Sequence, residues 1–428
     1  MSALVPQVLA SAESSAGTAL ERFLRARLLR TLSGIRFGRL IIRDALGVSE
    51  LGGQEAMSPV SITVSDMAFY RMAALNGSVG AGDAYGDGLW QCDDLVALVC
   101  LLVRNRDLLD GLETGLARIG RLVLSHWNVR RRNTPAGSRR NIAAHYDLGN
   151  DFFATFLSQD LMYSAALWLH ETDTLEQAST RKLAAICAKL DLRPSDRVME
   201  IGTGWGGFAL YAASHYGCHV TTTTISREQH RFVSRRVLER GLSEQISVLL
   251  EDYRHLQGLY DKVVSIEMIE AVGPQYLPAY FGKIADLMKP DGRALIQAIT
   301  IEDHRYARAL AEVDFIKRFV FPGSFIPSIN AMLSAKTAAS ELSLVHLEDF
   351  GNSYARTLST WRQRFRSRLD GIRAQGFDER FIRLWEFYLA YCEGGFLERS
   401  IGVAHLLFTR SAARAAAGGW SMQLEKSG

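Results

Sequence analysis

Hydrophobic and polar positions change their rhythm along the chain. Residues 35–68 alternate in short apolar runs, 40–42 and Val60–Val64, set apart by Gly and Ser, which is the pattern of strands. Residues 67–75 and 93–104 carry apolar side chains at helical spacing. Between them Gly77-Ser78-Val79-Gly80-Ala81-Gly82-Asp83-Ala84-Tyr85 runs into Gly86-Asp87-Gly88-Leu89-Trp90. That density of glycine means tight turns or close backbone contact. A small α+β domain follows. From residue 180 strands and helices alternate: Arg197–Ile201 is a strand, 207–215 a helix, 218–224 a strand and 227–240 a helix. Ile246–Leu250, 262–266 and 293–299 are three more strands. The alternation predicts an α/β fold with a parallel sheet covered on both faces. Residues 300–428 carry long helical patterns, such as 358–369 and 381–396, expected around or beside that sheet.

At 428 residues the chain exceeds what one core usually supports. The expected division is an amino-terminal domain over 1–127, a basic linker over 128–140 and a catalytic domain over 141–428. Arg130, Arg131, Arg132, Pro135, Gly137, Ser138, Arg139 and Arg140 give the linker almost nothing to bury. With 48% hydrophobic and 22% charged residues, wholesale disorder is excluded. The five cysteines form no CxxC pair and no regular framework, so neither a disulfide scaffold nor a metal site is expected. With no secretory signal, they read as reduced thiols of a cytoplasmic protein. No apolar run reaches the ~18 residues of a membrane-spanning helix, so any membrane is met from the side. The net charge of +3 argues for no partner, nucleic acid included. Its distribution says more. Residues 19–40 set six arginines beside Leu20, Phe23, Leu24, Leu28, Leu29, Leu32, Ile35 and Phe37. This is either a face for an anionic membrane surface or a helix packed on its own domain with solvated arginines.

Candidate chemistry begins at Val198-Met199-Glu200-Ile201-Gly202-Thr203-Gly204-Trp205-Gly206-Gly207, an apolar strand running into a glycine turn and a helix. Glycines there let a ligand approach the backbone at the carboxyl edge of the sheet. A dinucleotide oxidoreductase would use similar glycines. Three details favour adenosylmethionine. Glu200 sits inside the strand, where a carboxylate attracts the ligand's ammonium group. The spacing is Glu-x-Gly-x-Gly, and the second strand ends in Thr224-Ile225-Ser226-Arg227-Glu228-Gln229, without the acidic tip of dinucleotide enzymes. Glu251 and Asp252, after the third strand, are placed to hold the adenine side.

An ordered set of blocks goes further: Ala144-His145-Tyr146-Asp147-Leu148-Gly149-Asn150-Asp151-Phe152-Phe153; Met162-Tyr163-Ser164; Ile201 to Gly207; Thr224-Ile225-Ser226 with Gln229; and Glu270-Ala271-Val272-Gly273. Phe319 to Ser328 and Phe350-Gly351-Asn352-Ser353-Tyr354 complete it, and Gly80 to Trp90 is similar to a lipid-associated amino-terminal domain. Over nearly its whole length the chain resembles the cyclopropane-fatty-acyl-phospholipid synthase family.

The resemblance implies a class I S-adenosylmethionine-dependent methyltransferase, Rossmann-like, with a smaller amino-terminal α+β domain. In that family the methyl group goes to a cis double bond of a phospholipid acyl chain, and a bound bicarbonate ion then removes a proton to close a cyclopropane. Carried over residue by residue, Glu270 and Tyr354 hold the bicarbonate, with Gln297 at a third pocket position. Tyr163, Ser164, Gly202, Gly204, Thr224 and Gln229 hold the cofactor. Two departures matter. Ala165 stands where the family usually has Cys, and Gln297 where it often has His, so a methylene- or methyl-branched chain is the second product to weigh. A saturated branch would need a separate reductase. A homodimer and a position on the inner face of the membrane complete the expectations. A small-molecule methyltransferase and a non-catalytic lipid-binding protein are the rival readings.

Overall fold

The computed structural model describes residues 17–53, 58–108 and 148–410. The expected linker, the first residues of the chain and positions 144–147 lie outside them. The chain packs as two units. Among the described residues, one draws on 17–53, 58–108, Arg308–Pro322 and Ala355–Ser400, the other on 148–307, Gly323–Tyr354 and 401–410.

In the first unit four strands form a sheet in the order β2-β1-β3-β4: β1 (Arg39–Asp44), β2 (Gly47–Gly52), β3 (Val60–Val64) and β4 (Trp90–Cys92). Alternation does what a half-buried strand requires, with Leu40 and Ile42 buried while their neighbours in β1 are not. The helix Ala19–Leu32 starts on a capping box of Thr18 and Glu21. It buries Leu24 and Leu32, and Arg25 Nε donates to Asp44 at 2.5 Å. Leu20, Arg22, Phe23 and Arg30 stay exposed. One face is thus packed on its own unit, and apolar and basic side chains share the other.

The glycine-dense stretch is mostly helix. Ala68–Gly86 is one helix kinked at Gly77, whose φ of 54° and ψ of −132° are open to glycine alone. At Gly82 a side chain would collide with the Phe315 ring. Close contact, rather than a run of turns, accounts for that glycine.

The helices at 355–400 do not pack where the pattern placed them. Glu379–Leu397 lies against Leu95–Arg104 and Ala68–Gly86 within the first unit. Its buried Ile382, Trp385, Leu389 and Phe396 explain why it must be covered. Periodicity names the face a helix buries but not the element that covers it.

The second unit holds a seven-stranded sheet in the order β10-β11-β9-β8-β5-β6-β7. Its strands are β5 (Arg197–Ile201), β6 (His219–Thr224), β7 (Ile246–Leu250), β8 (Tyr260–Ile266), β9 (Met288–Ile301), β10 (Leu342–Asp349) and β11 (Ile401–Arg410). The run β9-β8-β5-β6-β7 is parallel, as the alternation demanded. However, β11 pairs antiparallel with β9, and β10 antiparallel with β11, so the sheet is mixed. These two strands meet across some fifty residues of helix and leave no local hairpin signal for the sequence to show. The core joins Leu183, Ile186, Val198, Phe208, Leu210, Val220, Val233 and Leu295. From β5 the chain goes to β6 and β7 on one side, then returns to β8 and β9 on the other. The gap between β5 and β8 at their carboxyl ends is therefore the switch point, where α/β sheets open a ligand crevice. Among the described residues no helix is long and apolar enough to cross a membrane.

Candidate active site

Every residue of the candidate site lies in the second unit, most of them at or just past the carboxyl ends of its strands. β5 delivers Glu200. It is buried, its Oε2 has no hydrogen-bond partner, and burial pushes its carboxyl up to about 8 against the opposing charge of Lys182. Burial in turn lowers Lys182 to about 8 while Asp160, Glu267 and Glu200 pull the other way, and its Nζ donates to Ser164 Oγ at 2.8 Å. A buried acid with an empty oxygen suits a ligand ammonium group. The turn after β5 leaves room for such a ligand. Gly204 has a φ of +51° and nothing within 4 Å of the place a Cβ would take.

Tyr163 is half-buried in an aromatic wall, 5.2 Å from the Phe153 ring, and Phe153 stands 4.8 Å from Trp205. β6 ends at Thr224, whose hydroxyl donates to Gln229 Oε1 at 2.8 Å, both side chains being buried. Ser226 caps the helix Arg227–Glu239 that carries Gln229. Past β7, Glu251 accepts at its carbonyl from Thr223 Oγ1 at 2.6 Å. Asp252 is tied instead to Arg254 at 2.7 Å. The residues expected to hold the cofactor thus surround one glycine turn. An orphaned buried carboxylate and an open cradle together fit adenosylmethionine, whose chemistry when bound is to supply an electrophilic methyl group.

Two further acids follow β8. Glu270 lies in a short turn after β8. Its Oε1 accepts from Ile299 N at 2.6 Å, its Oε2 is buried without a partner, and burial followed by the Glu267 charge raises it to about 8. Phe325 N donates to the Glu270 carbonyl at 3.1 Å, which brings Phe325 of the block noted in the sequence to the site. Tyr354 bonds to the other acid. Its hydroxyl donates to Glu267 Oε2 at 2.8 Å, while Gln297 Nε2 and Ala165 N donate to Glu267 Oε1 at 2.7 Å and 2.9 Å. Three donors thus surround an acid that the sequence reading had not named, and the Ala165 backbone supplies the polar group its side chain lacks. Gln297 is itself held. Its Oε1 accepts from His405 Nε2 at 3.0 Å, and Lys189 Nζ approaches His405 Nδ1 at 2.6 Å.

Glu267, Lys182 and His405 were not singled out from the sequence. For Glu267 a signal existed, because it follows the apolar strand Tyr260–Ile266 directly, at the edge where ligands bind. Lys182 stands on the buried stripe Ala178, Ser179, Leu183, Ile186 of its helix, an unusual place for an unpaired charge. His405 carries no local mark.

A family model described as mycolic acid cyclopropane synthetase matches residues 134–406. The chain is 35% identical over 381 residues to the tuberculostearic acid methyltransferase UfaA1 of Mycobacterium tuberculosis, which covers 86% of this chain and 87% of that relative. It is also 35% identical over 356 residues to the cyclopropane-fatty-acyl-phospholipid synthase of Escherichia coli, covering 82% and 88%. Among solved structures, the mycolic acid cyclopropane synthase CmaA1 complexed with SAH and CTAB aligns with a TM-score of 0.59 at 27% identity, over 64% of this chain and 98% of that one. With the switch-point crevice and its glycine turn, these matches establish that the chain belongs to the mycolic acid cyclopropane synthetase family and is an S-adenosylmethionine-dependent methyltransferase of the cyclopropane-fatty-acyl-phospholipid synthase type.

Proposed function

We propose that the protein transfers the methyl group of S-adenosylmethionine to the cis double bond of an unsaturated phospholipid acyl chain and that a cyclopropane is the product. The observation that carries this reading is a pair of buried acids, Glu267 and Glu270, that follow β8 at the sheet edge where its neighbour β5 ends in the glycine turn. An alkene is a poor nucleophile, so the donor must be held in line and water kept out. Methylation leaves a cation on the neighbouring carbon. A nearby buried carboxylate stabilises that charge far more than a solvated one would. Glu270, with its free oxygen, takes this role in its ionised form, which burial confines to pH above about 8. Tyr354 and Gln297 position Glu267, while Glu200 receives the cofactor's ammonium group. Tyr163, Ser164, Gly202, Gly204, Thr224, Gln229 and Glu251 complete the cofactor's surroundings.

Bicarbonate fits less well. The hydroxyl, amide and N–H that would hold it already end on Glu267. Mass spectrometry of lipids from a host expressing the protein tests the reaction. A gain of one CH2 on unsaturated chains, with ring protons in the NMR spectrum, is expected; unchanged lipids would sink the proposal. Exomethylene protons instead of ring protons would establish the methylene-branched product, the reading that Ala165 and Gln297 raise and that the relative named a tuberculostearic acid methyltransferase supports as much as the synthase supports the ring. The lipid is met at the surface through Leu20, Phe23, Arg22 and Arg30 of the helix Ala19–Leu32. Serine at both apolar positions is expected to weaken binding to anionic vesicles, and unaltered binding would refute that contact.

A further inference from the structure

We infer that Glu267 is the general base of this enzyme, a carboxylate built into the chain at the place where the family resemblance puts a bicarbonate ion. The inference rests on the alkene methylation proposed above. Three donors of a bicarbonate pocket, the Ala165 N–H, the Gln297 amide and the Tyr354 hydroxyl, all end on this one side chain, at 2.9, 2.7 and 2.8 Å. A carboxylate has the trigonal two-oxygen edge of bicarbonate and uses the same donors. A second anion would find them taken and would meet the charge of Glu267 besides.

The two oxygens are not equivalent. Oε1 accepts two hydrogen bonds and Oε2 one, so Oε2 keeps a lone pair for a proton. The donors are themselves held. Lys189 beside Nδ1 makes that nitrogen the acceptor and Nε2 the N–H of a neutral His405, whose pKa burial and the two nearby lysines lower well below the usual histidine range. That N–H takes the Gln297 oxygen and turns the amide nitrogen toward Glu267. His405 is thus a positioning residue. The backbone points the same way. Glu267 has a φ of +47°, a left-handed conformation that costs a side-chain-bearing residue roughly 1 kcal/mol. Such strain is kept where the side chain has a task. Burial also raises this carboxyl above the ordinary carboxylate range, which makes it a stronger base than a surface glutamate.

The step balances without a co-reactant. The alkene π pair forms the bond to the methyl carbon, and the carbon–sulfur bond breaks with its pair left on sulfur. Glu267 Oε2 then takes a proton from that methyl carbon, and the released C–H pair closes the third ring bond onto the cationic carbon. The proton passes to water as the product leaves.

The test uses the full chain, vesicles of an unsaturated phospholipid and buffer stripped of carbon dioxide. Wild-type turnover is expected to stay within about twofold of its value with bicarbonate added, and 13C-labelled bicarbonate to show no saturable NMR broadening by the protein. Glu267→Gly removes the carboxylate at a position whose backbone suits glycine. It should cut turnover by about 100-fold or more while S-adenosylhomocysteine affinity, read by calorimetry, changes less than about threefold. Added bicarbonate should then restore part of the activity and bind saturably. Wild-type turnover that disappears in stripped buffer and returns with bicarbonate would overturn the inference, as would saturable bicarbonate binding to the wild type or an undiminished Glu267→Gly enzyme. The labelled-bicarbonate titration of the wild type decides even if the variant does not fold. It also decides if no lipid is methylated at all, an outcome that counts against the alkene reaction instead.

Discussion

In the four-stranded unit Asp44 and Glu393 are each closed off by an arginine, Arg25 at 2.5 Å and Arg362 at 2.9 Å. In the seven-stranded unit Glu200 and Glu270 are just as removed from water, yet each keeps an oxygen with no hydrogen-bond partner. The contrast shows in their acidity. Burial opposes ionisation of Asp44, but the Arg25 and Tyr70 hydrogen bonds hold its carboxyl below the ordinary range. Burial instead lifts Glu200 and Glu270 to about 8. A buried acid whose charge is answered by an arginine of the chain is scaffold. One left short of a partner is kept for something the chain does not contain, and these two stand near the carboxyl ends of β5 and β8, at a topological switch point.

The comparison breaks first at the glycine turn. Gly204→Val should remove S-adenosylhomocysteine binding, a loss of more than about 100-fold by calorimetry, because the side chain fills the open space before the turn and strains a positive φ. Retained binding would mean that the cradle is not the ligand's. Assayed above about pH 8, where Glu270 is ionised, Glu270→Gln should lower kcat by about 100-fold and leave that affinity within about threefold, since it removes a negative charge used only when the lipid becomes cationic. A loss seen mainly in affinity would place Glu270 on the cofactor side instead. Next comes the pH dependence of binding. Glu200 must lose its proton to receive an ammonium group, and in the free protein it holds that proton up to about 8. Affinity should therefore rise with pH from about 6 to about 8, by up to about tenfold per unit, and level off above. Glu200→Gln should flatten the profile, and a wild-type profile flat from the start would contradict the pairing. The smallest change in chemistry belongs to the matched acids. Arg362→Ala should lower stability by about 3 kcal/mol, read from the urea midpoint, because Glu393 is left buried and alone. Its kcat and S-adenosylhomocysteine affinity should stay within about twofold, and a collapse of either would erase the distinction between scaffold and site.

Much of this was legible because it is local. Strand β5, its glycine turn and the helix that follows are contiguous, so Glu200, Gly202 and Gly204 could be read off one run of residues. Thr224 ends the next strand, and Gln229 and Glu251 follow that strand and the one after it, at the same edge by the rule of parallel connections. The helices at 355–400 were legible as helices and misplaced as neighbours, because an apolar stripe records that burial occurs and not with which partner. Strands β10 and β11 were missed for a related reason, since their pairing is settled between distant segments.

What the chain determined by itself is the parallel core, the cofactor turn and the roster of polar residues near it, all of which follow from short-range pattern and connection rules. Only the tertiary structure decided that Tyr354, Gln297 and Ala165 turn to Glu267 rather than to Glu270, and that His405 holds the glutamine from the far side of β9. A hydrogen bond is chosen by distance and direction among whatever groups the fold brings together, and residues 165, 267, 297, 354 and 405 become neighbours only when the sheet is complete.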